Sequence, residues 1–182
     1  MGWMAAAVMA FVGTNLDDIL ILTVLFAQCG SRREKKAIWL GQFVGIALLT
    51  AAGILGARAA QALPQRYICL LGCIPMAMGV KIWIGRNEEE KTRGRMSSWW
   101  QVMLLTLANG GDNIGAYVPL FSRFAGAQQT GAVMIFGGMT LLWCMIGMRL
   151  GSMKRVHGYI EKYRRIAVPA LLIGLGVMIL VG

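Results

Sequence analysis

The chain has 182 residues, of which 57% are hydrophobic and 14% charged, and a mean hydropathy of +0.62. A soluble domain carries about 25% charged residues, so this composition excludes an ordinary globular domain and points to a membrane. The net charge of +10 would suit a nucleic-acid binder, but the distribution of the basic residues assigns it to membrane orientation instead.

A helix needs about 20 apolar residues to cross a bilayer, and six such runs occur, near 3–28, 37–60, 67–85, 99–121, 131–150 and 166–182. The first lacks a basic leader and carries two acids in "GTNLDDILIL", so it reads as a transmembrane helix and not as a cleaved signal. "MGWMAA" also lacks the Ser or Thr of a myristoylation signal. The second holds Gly41-x-x-x-Gly45, a spacing that allows close helix approach. Its Gln42 is expected to bridge helices, the other reading being that it lines a pathway. In the third, Cys69 and Cys73 share one helix face, and Pro75 can open the helix beside them. With Cys29 and Cys144 they all lie in or at the ends of apolar segments, which does not resemble a secreted disulfide framework. The fourth run is broken at its middle by "LANGGDNIGAYVPLF". The fifth holds the Gly137–Gly138 pair, a second candidate for close approach, and the sixth is short. The expected fold is all-α, a polytopic membrane protein of six transmembrane helices.

Basic residues set the orientation. The first, third and fifth loop regions carry fifteen of them, including Arg32, Arg33, Lys35, Lys36, Arg86, Lys91, Lys154 and Arg155. The second and fourth carry only Arg58, Arg66 and Arg123. The positive-inside rule puts the odd loops in the cytoplasm and both termini outside, most simply at a bacterial inner membrane. Anionic lipid headgroups are the partners of these loops, and no nucleic acid is expected.

The segments repeat. "GVKIWIG" (79–85) returns as "GVMILVG" (176–182) at an offset of 97, and "DDI" (17–19) returns as "DNI" (112–114) at an offset of 95. Three helices per repeat make the halves antiparallel across the bilayer, with 1–85 as the first, 86–98 as a cytoplasmic linker and 99–182 as the second. Inverted repeats with interrupted helices at the midplane characterise secondary transporters.

Five glutamates lie in cytoplasmic loops, whereas Asp17, Asp18 and Asp112 are all intramembrane. A carboxylate at the bilayer centre costs about 2.5–3.5 kcal/mol on the lenient insertion scale. No Lys, Arg or His lies at the same depth: Lys81 can snorkel from the end of its segment, and His157 is in a loop. Protons or a bound cation must therefore neutralise the aspartates. A divalent cation among three carboxylates leaves one negative charge, which one proton removes. Asn15, Asn109 and Asn113 add amide oxygens suited to such an ion, and Gly110 and Gly111 let the fourth helix unwind so that its carbonyls face the ion.

"TNLDDILIL" and "LANGGDNIGAYVPLF", with the six-segment length and the two half-repeats, resemble the cadmium-resistance transporter (CadD-like) family of the lysine-exporter superfamily. The resemblance implies export of divalent metal, cadmium by name. It implies metal-site roles for Asp17, Asp18, Asp112 and Asn113, with Asn109 beside them, and Asn15 joins the expected site as an amide-oxygen donor read from the residues. Without a thiolate level with the aspartates, zinc and manganese stay open as substrates. The expected mechanism is proton antiport by rocking of the inverted halves, with no catalytic residue and no resident cofactor; a homodimer would add burial to six short helices.

Three other readings remain, one of them a non-transporting scaffold, which Asp-to-Asn changes would leave fully functional. The aspartates suit an organic ammonium or amino acid, with Tyr117 contributing cation–π contact. "NGGD" and Pro169-Ala170-Leu171 resemble the Gly-x-Gly-Asp and Pro-Ala-Leu elements of intramembrane aspartyl proteases, but Asn109 occupies the first glycine position. That chemistry also leaves Asp18 and Asn113 without a role.

Overall fold

The computed structural model describes residues 2–60 and 98–152, together with Cys73, Ile74, Met76, Ala77, Val80, Ile173, Gly174, Val177 and Leu180. Most of the third and sixth expected segments, the linker, Cys69, Lys81, His157 and the Pro-Ala-Leu element lie outside the described residues. Among the described residues the chain is all-helical: α1 (Gly2–Ala27), α2 (Arg32–Ala60), α3 (Trp99–Asn109), α4 (Gly111–Ser122) and α5 (Gly126–Gly151). Three of these, α1, α2 and α5, are long and apolar enough to cross a membrane. The fourth expected span is divided: α3 and α4 meet at Gly110.

Local chemistry sets the helix ends. The basic residues expected in the first loop instead begin α2, because Ser31 and Glu34 cap it: Glu34 Oε2 accepts from Ser31 N at 3.2 Å and Ser31 Oγ accepts from Glu34 N at 3.2 Å. At the other boundary Gln129 Nε2 donates to Phe121 O at 3.0 Å and Phe124 O at 3.2 Å. The pair of bonds ties the first turn of α5 to the end of α4 and the short turn after it.

Lipid tails are as apolar as leucine, so helices in a bilayer associate through close van der Waals packing. Along α2, a Cβ at Gly45 would lie 2.7 Å from Thr106 Cβ, one at Gly53 2.6 Å from Tyr117 Cβ and one at Gly56 2.6 Å from Val118 Cγ2. The small residues thus form a groove that seats α3 and α4, as the Gly41–Gly45 spacing predicts. At Gly137 and Gly138, by contrast, no described atom lies within 4 Å of a Cβ built there. Close approach of α5 to α1 runs through Gly147, against Leu22 Cβ at 2.7 Å, and Gly151, against Thr23 O at 2.8 Å. Where α1, α4 and α5 converge, Phe11, Tyr117, Phe121, Phe136 and Trp143 form a buried aromatic cluster. Its centroid separations include 4.7 Å for Tyr117–Phe136 and 5.4 Å for Phe11–Phe136. Edge and tilted contacts of this kind contribute about 0.5–1.5 kcal/mol each beyond burial.

Candidate functional site

Two helix breaks organise the polar residues. α1 leaves helical geometry at Asn15 (φ −115°, ψ 15°), and α3 gives way to α4 at Gly110 (φ −87°, ψ 20°). Gly110 follows Asn15 by 95 residues, the separation between Asp17 and Asp112. Each break therefore stands two residues before an aspartate. Backbone N–H groups at the start of a helical segment carry partial positive charge, which favours a carboxylate there. Asp112, in the first turn of α4, accepts from Asn113 N at 3.1 Å.

The means of breaking differ. In α1 the Asn15 side chain turns back to donate to Phe11 O at 2.8 Å, and its backbone carbonyl accepts from Trp143 Nε1 at 2.6 Å. Asn15 Nδ2 also reaches Tyr117 Oη, at 2.9 Å. At the second break glycine is needed for fit, since a Cβ at Gly110 would press on Leu49 and stand 3.0 Å from Thr106 O. The interruption is a single residue, for Gly110 N still donates to Thr106 O at 2.8 Å. The unwinding expected over both glycines is thus confined to the first.

Asp17 and Asp18 sit together below Asn109, whose Nδ2 donates to Asp17 Oδ2 at 3.0 Å and Asp18 Oδ1 at 3.1 Å. One amide nitrogen spans two carboxylates. Asp18 is buried, and its other oxygen, Oδ2, accepts from Gln42 Nε2 at 2.6 Å. Gln42 Oε1 in turn accepts from Thr106 Oγ1 at 2.8 Å. Gln42 is therefore a bridge between α1, α2 and α3, as expected from its position.

Asn15 and Asn113 form a second centre, with Asn113 Nδ2 donating to Asn15 Oδ1 at 2.9 Å. In that orientation Asn113 Oδ1 faces Thr14 O at 3.1 Å and Asp112 Oδ1 at 3.3 Å. Reversing the Asn113 amide turns both contacts into hydrogen bonds but sets its oxygen against Asn15 Oδ1 at 2.9 Å. Reversing Asn15 as well sets oxygen against Phe11 O, where Nδ2 now sits at 2.8 Å. Every orientation leaves one oxygen facing another, so acceptors exceed donors at this point.

All six expected site residues thus flank the two breaks: Asn109 with Asp17 and Asp18, and Asn15 with Asn113 and Asp112. Among the described residues no three His, Cys, Asp or Glu side chains converge as a metal site, so the three aspartates do not close on one point. Thr106 and Trp143 were not foreseen, and Tyr117 enters as a hydroxyl partner of Asn15, where the sequence suggested a ring for a cation. The faint signal for Tyr117 is its position one turn beyond Asn113.

Against this geometry, a profile of a protein family described as cadmium resistance transporter matches residues 11–182. The chain belongs to that family. Its apolar helices are those of a membrane protein, and the cadmium resistance transporter family is a transporter family whose name gives a metal ion as substrate. No protein of curated function and no solved structure matches the chain.

Proposed function

We propose that this chain exports divalent metal cations, cadmium foremost, from the cytoplasm of a bacterial cell across its inner membrane. The ion binds between the two helix breaks. Asp17 and Asp18 supply carboxylate oxygens, and Asn109 supplies its amide oxygen after turning its nitrogen away. Asp112, Asn113 and Asn15 join from the second centre as the halves close. The observation that carries this reading is the Asn109 nitrogen held between two carboxylates at 3.0 and 3.1 Å, a weak positive dipole in the place a cation would occupy.

Movement follows from the layout. The equal spacing of the breaks and aspartates supports two inverted three-helix halves, 1–85 and 99–182, that rock about the polar centre. When the ion leaves outward, carboxylates in a low-dielectric setting take up protons, because two close negative charges repel. Release of those protons inward makes the cycle a metal/proton antiport. An all-oxygen donor set admits zinc and manganese as well as cadmium, and competition ranks them.

The test is cadmium uptake by everted vesicles. Wild type is expected to take up cadmium saturably and to lose that uptake when the proton gradient is collapsed. Asp18→Asn and Asp112→Asn should each reduce it to background. Folded wild-type protein that moves no divalent metal would overturn the reading and bring forward the organic cations.

A further inference from the structure

Asp18 is held from the far side of α2 by a chain of two hydrogen bonds. Asp18 Oδ2 accepts the short bond from Gln42 Nε2 at 2.6 Å and Oδ1 the longer one from Asn109 Nδ2 at 3.1 Å, so Oδ1 is the oxygen turned to an ion once the Asn109 nitrogen swings away. Gln42 has little freedom to withdraw: it is 3% exposed, and its Oε1 is held by the Thr106 hydroxyl at 2.8 Å. That hydroxyl has one proton and two acceptors, Gln42 Oε1 at 2.8 Å and Val102 O at 3.0 Å. While the proton points to Gln42, both ends of the amide are held, its nitrogen on Asp18 and its oxygen on Thr106. Thr106 is itself fixed, its Cβ seated over Gly45 where α2 has no side chain.

We propose that Thr106, acting through Gln42, is a specificity-determining positioning residue that keeps Asp18 a one-oxygen ligand and so sets the size of ion the site prefers. This rests on the metal-export reading above. A carboxylate free to rotate can give both oxygens to one ion, an arrangement that larger cations with higher coordination numbers accept, whereas small ions demand compact shells of single oxygens. Release of the strut therefore favours cadmium, the larger ion, over zinc.

Thr106→Val is the probe, because it replaces the hydroxyl by a methyl of nearly the same size and keeps the contact over Gly45. Cadmium and zinc uptake are measured in competition, with KM and maximal rate for each. The cadmium-to-zinc preference should rise roughly fivefold, the scale of one hydrogen bond, chiefly through KM. Thr106→Ser, which keeps the hydroxyl, should restore the wild-type preference. Gln42→Met should shift the preference in the same direction, and the Thr106→Val/Gln42→Met double variant should shift it no further than the larger single change. If Thr106→Val fails to insert, Gln42→Met decides alone. A lower maximal rate with the ion preference unchanged would reduce Thr106 to a packing role and overturn the inference, leaving metal export intact. Wild type without metal uptake would overturn both.

Discussion

The break at Asn15 and the break at Gly110 do the same thing to the backbone by opposite means. At Asn15 a side chain competes with the helix for Phe11 O, and Tyr117 and Trp143, from two other helices, grip the residue. At Gly110 no side chain among the described residues makes a hydrogen bond to the residue, which keeps only its backbone bond to Thr106 O. The backbone turns there because the residue lacks a side chain, and Leu49 and the Thr106 carbonyl fill the space left. A clamp of buried hydrogen bonds costs free energy to open, since each orphaned group loses about 1–3 kcal/mol. A glycine joint costs little. In the proposed transport cycle the first break would serve as the fixed wall of the site, and the second as the joint that moves.

Removing the clamp should have the largest effect. Asn15→Leu deletes the bonds to Phe11 O, Tyr117 and Asn113 together, and at about 1 kcal/mol each metal uptake should fall roughly 100-fold. Uptake that survives this change would mean the kink in α1 is not needed for transport. Trp143→Phe is milder: the ring can still pack against Phe11 (centroids 5.5 Å in the wild type), but Asn15 O loses its donor. Uptake should drop about tenfold, and thermal unfolding in detergent should still be cooperative; an unaltered rate would show that Trp143 only packs. The smallest and sharpest comparison is between neighbours. Gly110→Ala must displace Leu49 and crowd Thr106 O, an overpacking worth about 1–3 kcal/mol, and uptake should fall with it. Gly111→Ala meets nothing within 4 Å and should leave stability the same or raise it by a few tenths of a kcal/mol. Equal effects at the two glycines would dissolve the distinction between joint and bystander.

The clearest parts of this site in the sequence are those that violate its surroundings. Asp17, Asp18 and Asp112, with Asn15, Asn109 and Asn113, stand out because a polar or charged group among apolar neighbours needs a reason. Thr106 and Trp143 give no such signal. Threonine and tryptophan are ordinary in membrane helices, where a threonine hydroxyl commonly bonds back to its own helix, and Thr106 does that too, to Val102 O. What sets it apart is the second acceptor, Gln42, brought close by Gly45 across the helix interface, and such a coincidence lies in the packing. The same limit explains the glycines. Gly41, Gly45, Gly137 and Gly138 all carry the small-residue signal of close approach, but only contact separates a glycine that admits a neighbour from one that meets none among the described residues. The helix break in "LANGGDN" was legible as two glycines in an apolar run, whereas its restriction to Gly110 depended on the bond Gly110 keeps with Thr106.

The Asn109 amide between Asp17 and Asp18 has an electrical consequence. An amide is neutral, so it relieves the two carboxylates without cancelling their charge. If they return to the cytoplasmic side bare, that leg of the cycle carries negative charge through the membrane field, worth about 2.3 kcal/mol per charge per 100 mV, and voltage alters the turnover. If protons ride with them, the same leg moves no charge and voltage leaves it untouched. Current recorded during turnover would therefore count the protons on the homeward carrier without any proton being measured.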